Sequence, residues 1–135
     1  MTPSYADPSV IQRVLRDCQV WAVVGLGGNP ARPAYGVAAF LQRQGKRIVP
    51  VHPSAATVLG EPGFASLADV PFPVDCVDVF RRASAAGEVA DAAVACGARA
   101  VWFQLGVVDA AAAARVRAAG LDMVMDRCPR LEWPG

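Results

Sequence analysis

The sequence predicts an α/β fold: an open parallel sheet of five strands with helices on both faces, in three layers. Three observations carry this. Short apolar runs alternate with helical stretches of roughly ten to thirteen residues, the pattern of repeated strand–helix–strand units. The strand candidates are apolar almost throughout rather than alternating, as strands buried on both faces must be. Hydrophobic residues make up 54% of the chain against 19% charged, which favours a large core over a solvated module. At 135 residues the chain suits a single domain over 1–135.

The elements follow in order. Pro8 to Cys18 predicts a leading helix, with Val10, Ile11, Val14 and Leu15 on one face. Val20 to Val24 is the first strand, ending near Leu26. A helix is expected from Ala34 to Gln44, stopped by Gly45. Lys46 to Val51 is the second strand, and Pro50 in it argues against full pairing on both sides. His52-Pro53 terminates it. Ser54 to Pro73 is irregular, with a turn at Gly60 to Gly63 and a short helical turn capped by Ser66. Val74 to Phe80 is the third strand, and Ala85 to Cys96 a helix stopped by Gly97. Arg99 to Leu105 is the fourth strand. Asp109 caps an Ala-rich helix to Ala119, and Leu121 to Met125 is the fifth strand. Asp126 to Gly135 reads as a polar, proline-containing tail.

Composition excludes several functions. A net charge of +1 argues against nucleic acid and anionic membrane as partners. No apolar run approaches the roughly eighteen residues of a membrane span. Met1 to Asp7 lacks the basic start and apolar stretch of a signal peptide, which points to the cytoplasm. Cys18, Cys76, Cys96 and Cys128 are scattered with no C-x-x-C pair, which argues against a metal cage or disulfide framework. No protein partner or homo-oligomer is indicated.

The richest segment is the turn after the first strand. Gly25, Leu26, Gly27 and Gly28 allow a sharp bend with N–H groups near a ligand. Pro30 and Pro33 suit the first turn of a helix. Strand, glycine turn and helix start together form a phosphate or pyrophosphate site, or else a plain structural turn. Pro30 stands where a dinucleotide fingerprint has its third glycine, and Val51-His52-Pro53-Ser54 offers no carboxylate for ribose hydroxyls. NAD is therefore disfavoured. NADP stays open through Ser54 and a nearby arginine, and a phosphate-loop motif is absent.

The whole chain resembles the small stand-alone CoA-binding domain proteins, a Rossmann-like domain also found in the CoA-binding subunit of succinyl-CoA synthetases. The likeness rests on Gly25 with Asn29-Pro30-x-Arg32-Pro33-x-Tyr35, on Ile48 to Pro53, on Val77 to Arg81, on Trp102-x-Gln104-Leu105-Gly106-Val107, and on Val124 to Pro129. Leu26-Gly27-Gly28 departs from it, since the family commonly has Ala-Ser and a polar residue there. The resemblance implies coenzyme A as ligand. Its pyrophosphate would lie on Gly25 to Gly28 with Arg32 as charge partner, beside Pro33 and Tyr35. His52-Pro53 would line the adenine, and Val79, Phe80 and Arg81 the pantetheine arm. Gln104 and Gly106 would approach the pantetheine amides. Each has a plainer reading too: Arg32 as a solvated arginine, His52-Pro53 as a strand terminator, Phe80 as core, Gln104 as a partner for loop backbone.

Catalytic groups are scarce. His52 is the only histidine, and related ligases use a phosphorylated histidine from a further domain that this length does not hold. Cys128 follows the fifth strand beside Arg127, so it is either a small core residue or a thiol close to that of CoA. Asp78, in an apolar strand, is expected to serve loop N–H groups. The reading is a non-catalytic binding domain for CoA or an acyl-CoA. The alternatives are an NADP-dependent reductase, a ligase subunit needing a partner chain, or an interaction module docking through an exposed Trp133.

Overall fold

The computed structural model describes residues 4–135, so Met1 to Pro3, part of the stretch read for a leader, lie outside the described residues. Five parallel strands form one sheet: β1 (Val20–Val24), β2 (Arg47–Val51), β3 (Cys76–Val79), β4 (Ala100–Phe103) and β5 (Asp122–Val124). The spatial order is β2-β1-β3-β4-β5. Around it lie α1 (Pro8–Asp17), α2 (Pro33–Arg43), α3 (Ala83–Ala95), α4 (Ala110–Ala118) and the short α5 (Pro129–Glu132).

Each face of the sheet buries its own core. Val24, Val51, Val77, Val79, Val101 and Phe103 pack with Ala86, Ala90 and Ala93 of α3 and Ala112, Ala113 and Val116 of α4. Trp21, Val23, Ile48, Cys76 and Trp102 pack on the other face with Ile11, Val14 and Leu15 of α1 and Val37, Ala38 and Leu41 of α2. The rings of Trp21 and Trp102 meet at 5.9 Å, and their indole N–H groups donate to the carbonyls of Cys18 and Arg127 at 2.9 and 2.8 Å. Apolar surface on both faces is why the strand sequences show no polar alternation.

Several boundaries move by one or two residues. Pro33, not Ala34, opens α2, because proline lacks the N–H that a first helical position leaves unpaired. β2 is an edge strand, which tolerates Pro50. Its outer side gains one bridge from the irregular segment: Phe64 N donates to Pro50 O at 2.9 Å, and His52 N to Phe64 O at 3.0 Å.

Three expectations are corrected. Ser66 precedes the 3-10 turn Leu67–Asp69 but makes no side-chain cap; its hydroxyl bonds the Asp69 carboxylate at 3.0 Å. Asp78 serves no loop: it is wholly buried and neither carboxyl oxygen has a partner. Asp75 does that work, Oδ2 accepting from the N–H groups of Gln19 and Val20 at 2.9 Å each. The tail is not a plain tail either. Cys128 to Glu132 turn into α5, and half-buried Trp133 folds back edge-on against Phe40 of α2, with centroids 5.6 Å apart. Trp133 thus packs on a helix, neither free in solvent nor on the sheet. Among the described residues no helix is long and apolar enough to cross a membrane.

Candidate functional site

The chain runs from β1 to β2, then crosses to the opposite side of β1 to make β3. That reversal opens a crevice at the carboxyl ends of β1 and β3, the switch point where ligands bind in open α/β sheets. Gly25 stands at its centre. Its φ is +106°, a region side chains avoid. A Cβ placed there would lie 2.5 Å from the carbonyl oxygen of Phe80, just after β3. Only glycine lets the two strand ends approach this closely.

Beyond Gly25 the backbone opens. The N–H groups of Gly27, Gly28 and Asn29 have no acceptor among the described residues. Asn29 shapes the next turn: its side-chain oxygen accepts from Ala31 N at 3.0 Å and its carbonyl from Arg32 N at 3.1 Å. Arg32 then stands at the N-cap of α2 with no side-chain cap bond. Free N–H groups on a glycine turn, beside the positive end of an eleven-residue helix, form an anion cradle.

This turn borders a cavity of about 520 Å³. Eight predicted residues meet there: Gly25, Gly27, Gly28, Arg32, Pro33, His52, Phe80 and Gln104. Pro53 and Arg81 border an adjoining cavity of about 310 Å³ that shares Gly25, His52 and Phe80. The other five predicted residues lie elsewhere. Leu26 and Val79 are in the core, on opposite faces of the sheet. Tyr35 is half-buried against α2's core, and Cys128 is buried at the N-cap of α5. Gly106 is exposed, with φ of +81°, donating its N–H to Asp126 Oδ1 at 2.8 Å.

The cavity also takes Ser54, singled out above only for an NADP phosphate, and Asn29, Ala34, Leu105 and Val107, none of them singled out as ligand contacts. The signal was present in their position, since each follows a strand or opens the helix after it.

His52 is oriented by Ser54: its Nδ1 accepts from Ser54 N at 3.1 Å and lies 2.8 Å from Ser54 Oγ, which leaves Nε2 as the ring's N–H. The ring edge rests on Gly27, where a Cβ would fall 3.3 Å from Cδ2 and Nε2. Arg32 and Arg81 are exposed and form no ion pair among the described residues. Gln104 is 7% exposed and its Oε1 has no partner, although it lines the cavity. That oxygen bonds no loop N–H in this structure. Burial alone pushes the Asp78 carboxyl well above the usual carboxylate range.

The site therefore offers unpaired donors, two free cations and one buried acceptor along one edge of the sheet. This is the equipment of a Rossmann-like nucleotide-binding protein. The chain belongs to the CoA binding domain family, whose description it matches over residues 19–134. It is 33% identical over 126 residues to the Bacillus subtilis protein YneT, across 93% of this chain and 91% of that one. A solved protein from Thermus thermophilus is 34% identical with a TM-score of 0.86, covering 93% of this chain and 96% of its own. A dinucleotide forming acetyl-coenzyme A synthetase from Ca. Korarchaeum cryptofilum is similar in fold alone, 17% identical with a TM-score of 0.73 over 86% of this chain and 27% of that one.

Proposed function

We propose that this chain binds coenzyme A or an acyl-CoA, as a single non-catalytic domain with a carrier, sensor or regulatory role. The observation that carries this is the Gly25 crossing. It brings the unpaired N–H groups of Gly27 to Asn29 to the switch point, where a diphosphate gains hydrogen bonds without displacing any internal one. Arg32 supplies a guanidinium for the same group.

The ligand fits the remaining residues in sequence along the edge. The adenosine end lies over β2, where the His52 ring and Pro53 offer apolar contact and Nε2–H a donor. Arg81, expected along the pantetheine arm, borders the same cavity as Pro53 and so is read here as a partner for a further phosphate. The pantetheine arm crosses Phe80 and passes Gln104, whose buried, unpartnered Oε1 accepts from one of its amide N–H groups once the side-chain amide turns to the cavity. A buried acceptor with no internal partner is costly unless a ligand supplies one.

Calorimetric titration with CoA, acetyl-CoA, NAD, NADP and ATP side by side tests this reading. Saturable heats with CoA or acetyl-CoA, and none with NAD, are expected. A clear NADP response with none from either CoA species overturns it.

A further inference from the structure

The far end of the groove carries a second chemistry. Leu105 lines the cavity beside Gln104 and is 52% exposed, and Val108 is 49% exposed. Val107, between them in the chain, is buried at 7% but also borders the cavity. Among the described residues three large apolar side chains are left this open, and two of them lie on this one loop.

The loop is built rather than loose. Val107 N donates to Gln104 O at 2.9 Å, Gly106 N to Asp126 Oδ1 at 2.8 Å, and Asp109 N to Met125 Sδ at 3.4 Å. Asp109 then caps α4 through Ala112 N at 3.0 Å. The loop after β4 is thus fixed, with Leu105 and Val107 bordering the cavity and Val108 exposed on the same loop.

Position decides what reaches them. The anion cradle lies over β1 and Leu105 over β4, two strand spacings away, or roughly 10 Å at about 4.8 Å each. Gln104 marks the path between. With the diphosphate on the cradle and the arm passing Gln104, the thiol end emerges at Leu105 to Val108. The free cations, Arg32 and Arg81, are at the phosphate side. At the thiol end Asp126 sits on Gly106 and Asp109 stands next to Val108, and the arginines nearby, Arg127 and Arg115, are already paired with Glu132 and Asp91.

We infer that the bound species is an acyl-CoA whose acyl group is uncharged and apolar, and that this chain covers Leu105 and Val108. The inference rests on the CoA reading above. An anionic acyl group, as in a dicarboxylic half-thioester, would be left beside Asp126 and Asp109 with no unpaired cation to meet it, since Arg127 and Arg115 are held by Glu132 and Asp91. An apolar chain removes both its own surface and the loop's from water.

The test is a calorimetric series with CoA and its acetyl, butanoyl, hexanoyl, octanoyl and succinyl thioesters. Affinity is expected to rise from CoA to hexanoyl-CoA, about twofold or more for each methylene that is covered. Butanoyl-CoA is expected to bind more tightly than succinyl-CoA, which has an acyl chain of the same length. Leu105→Ser and Val108→Ser, both at exposed positions, are expected to flatten the slope of affinity against chain length. A flat series with intact CoA binding, or a preference for succinyl-CoA, overturns the inference and leaves the CoA reading standing. Failure of every thioester and of CoA itself overturns both.

Discussion

Replacing Gly25 by alanine tests the crossing on which the site is built. The new Cβ would lie 2.5 Å from Phe80 O and 3.2 Å from both the Phe80 carbonyl carbon and its Cβ. A relaxed carbon–oxygen contact needs roughly 3.3 Å, so one strand end must retreat by nearly an ångström. The residue also keeps φ at +106°, which costs a side-chain-bearing residue about 1–2 kcal/mol. Displacing packed backbone adds about 1–3 kcal/mol. The sum, about 2–5 kcal/mol, is a large fraction of a typical domain's stability. Urea unfolding followed by tryptophan fluorescence measures it, since Trp21 and Trp102 are both buried. Gly28→Ala is the control: no atom lies within 4 Å of its added Cβ, and its φ is not in the left-handed region. The control should change stability by less than about 1 kcal/mol. Gly25→Ala should also weaken CoA binding at least tenfold, because the Gly27–Asn29 donors move with it. A Gly25→Ala protein as stable as wild type, with unchanged CoA affinity, would refute the close-approach argument.

Asp78→Asn should stabilise the protein at neutral pH. The folded state holds the Asp78 proton well above the pH at which the unfolded chain releases it, so this group's contribution is complete below about pH 4 and falls as pH rises, by about 1.4 kcal/mol per pH unit until the folded group itself ionises. The stability difference between variant and wild type should therefore widen in urea titrations from pH 4 to pH 8, and a difference constant with pH would show Asp78 to titrate normally. Gln104→Leu removes a buried acceptor that has no internal partner, so thermal stability should hold or rise while CoA affinity falls about tenfold, the worth of one hydrogen bond of about 1.4 kcal/mol. A drop in stability with unchanged affinity would make Gln104 structural. Arg32→Ala, at an exposed position with no ion pair among the described residues, should leave the melting temperature within about 1 °C while weakening CoA binding and its salt dependence. Equal salt dependence in both proteins would remove Arg32 from the phosphate site.

Much of the architecture was legible along the chain because its signals are local. Apolar runs, glycine stops after α2, α3 and α4, and the Asp109 cap depend on neighbours within a few residues, and these elements appear where the pattern puts them. The crevice was legible for the same reason: residues just after a strand end gather at the carboxyl edge of a parallel sheet, and eight of those singled out do so. What depends on contacts between distant segments was not. Val77-Asp78-Val79-Phe80 reads as one stretch of strand, and no local signal says that Val79 turns into the α3 face while Phe80, past the strand, borders the crevice. The exchange of roles between Asp75 and Asp78 has the same origin, since only the pairing of β3 beside β1 puts the Gln19 and Val20 N–H groups within reach of Asp75. A four-residue helix is too short for periodicity to reveal, so the docking of Trp133 on Phe40 emerges only once α2 and the tail are adjacent. The layered sheet, the glycine turn and the sheet edge that carries the crevice could be read from the chain alone, because periodicity and turn chemistry are near-neighbour effects. Why Gly25 must be glycine, which buried oxygens go unpaired, and that Leu105 stands open at the end of the groove with Val108 exposed on the same loop became apparent only in three dimensions, because each depends on what folding brings beside it.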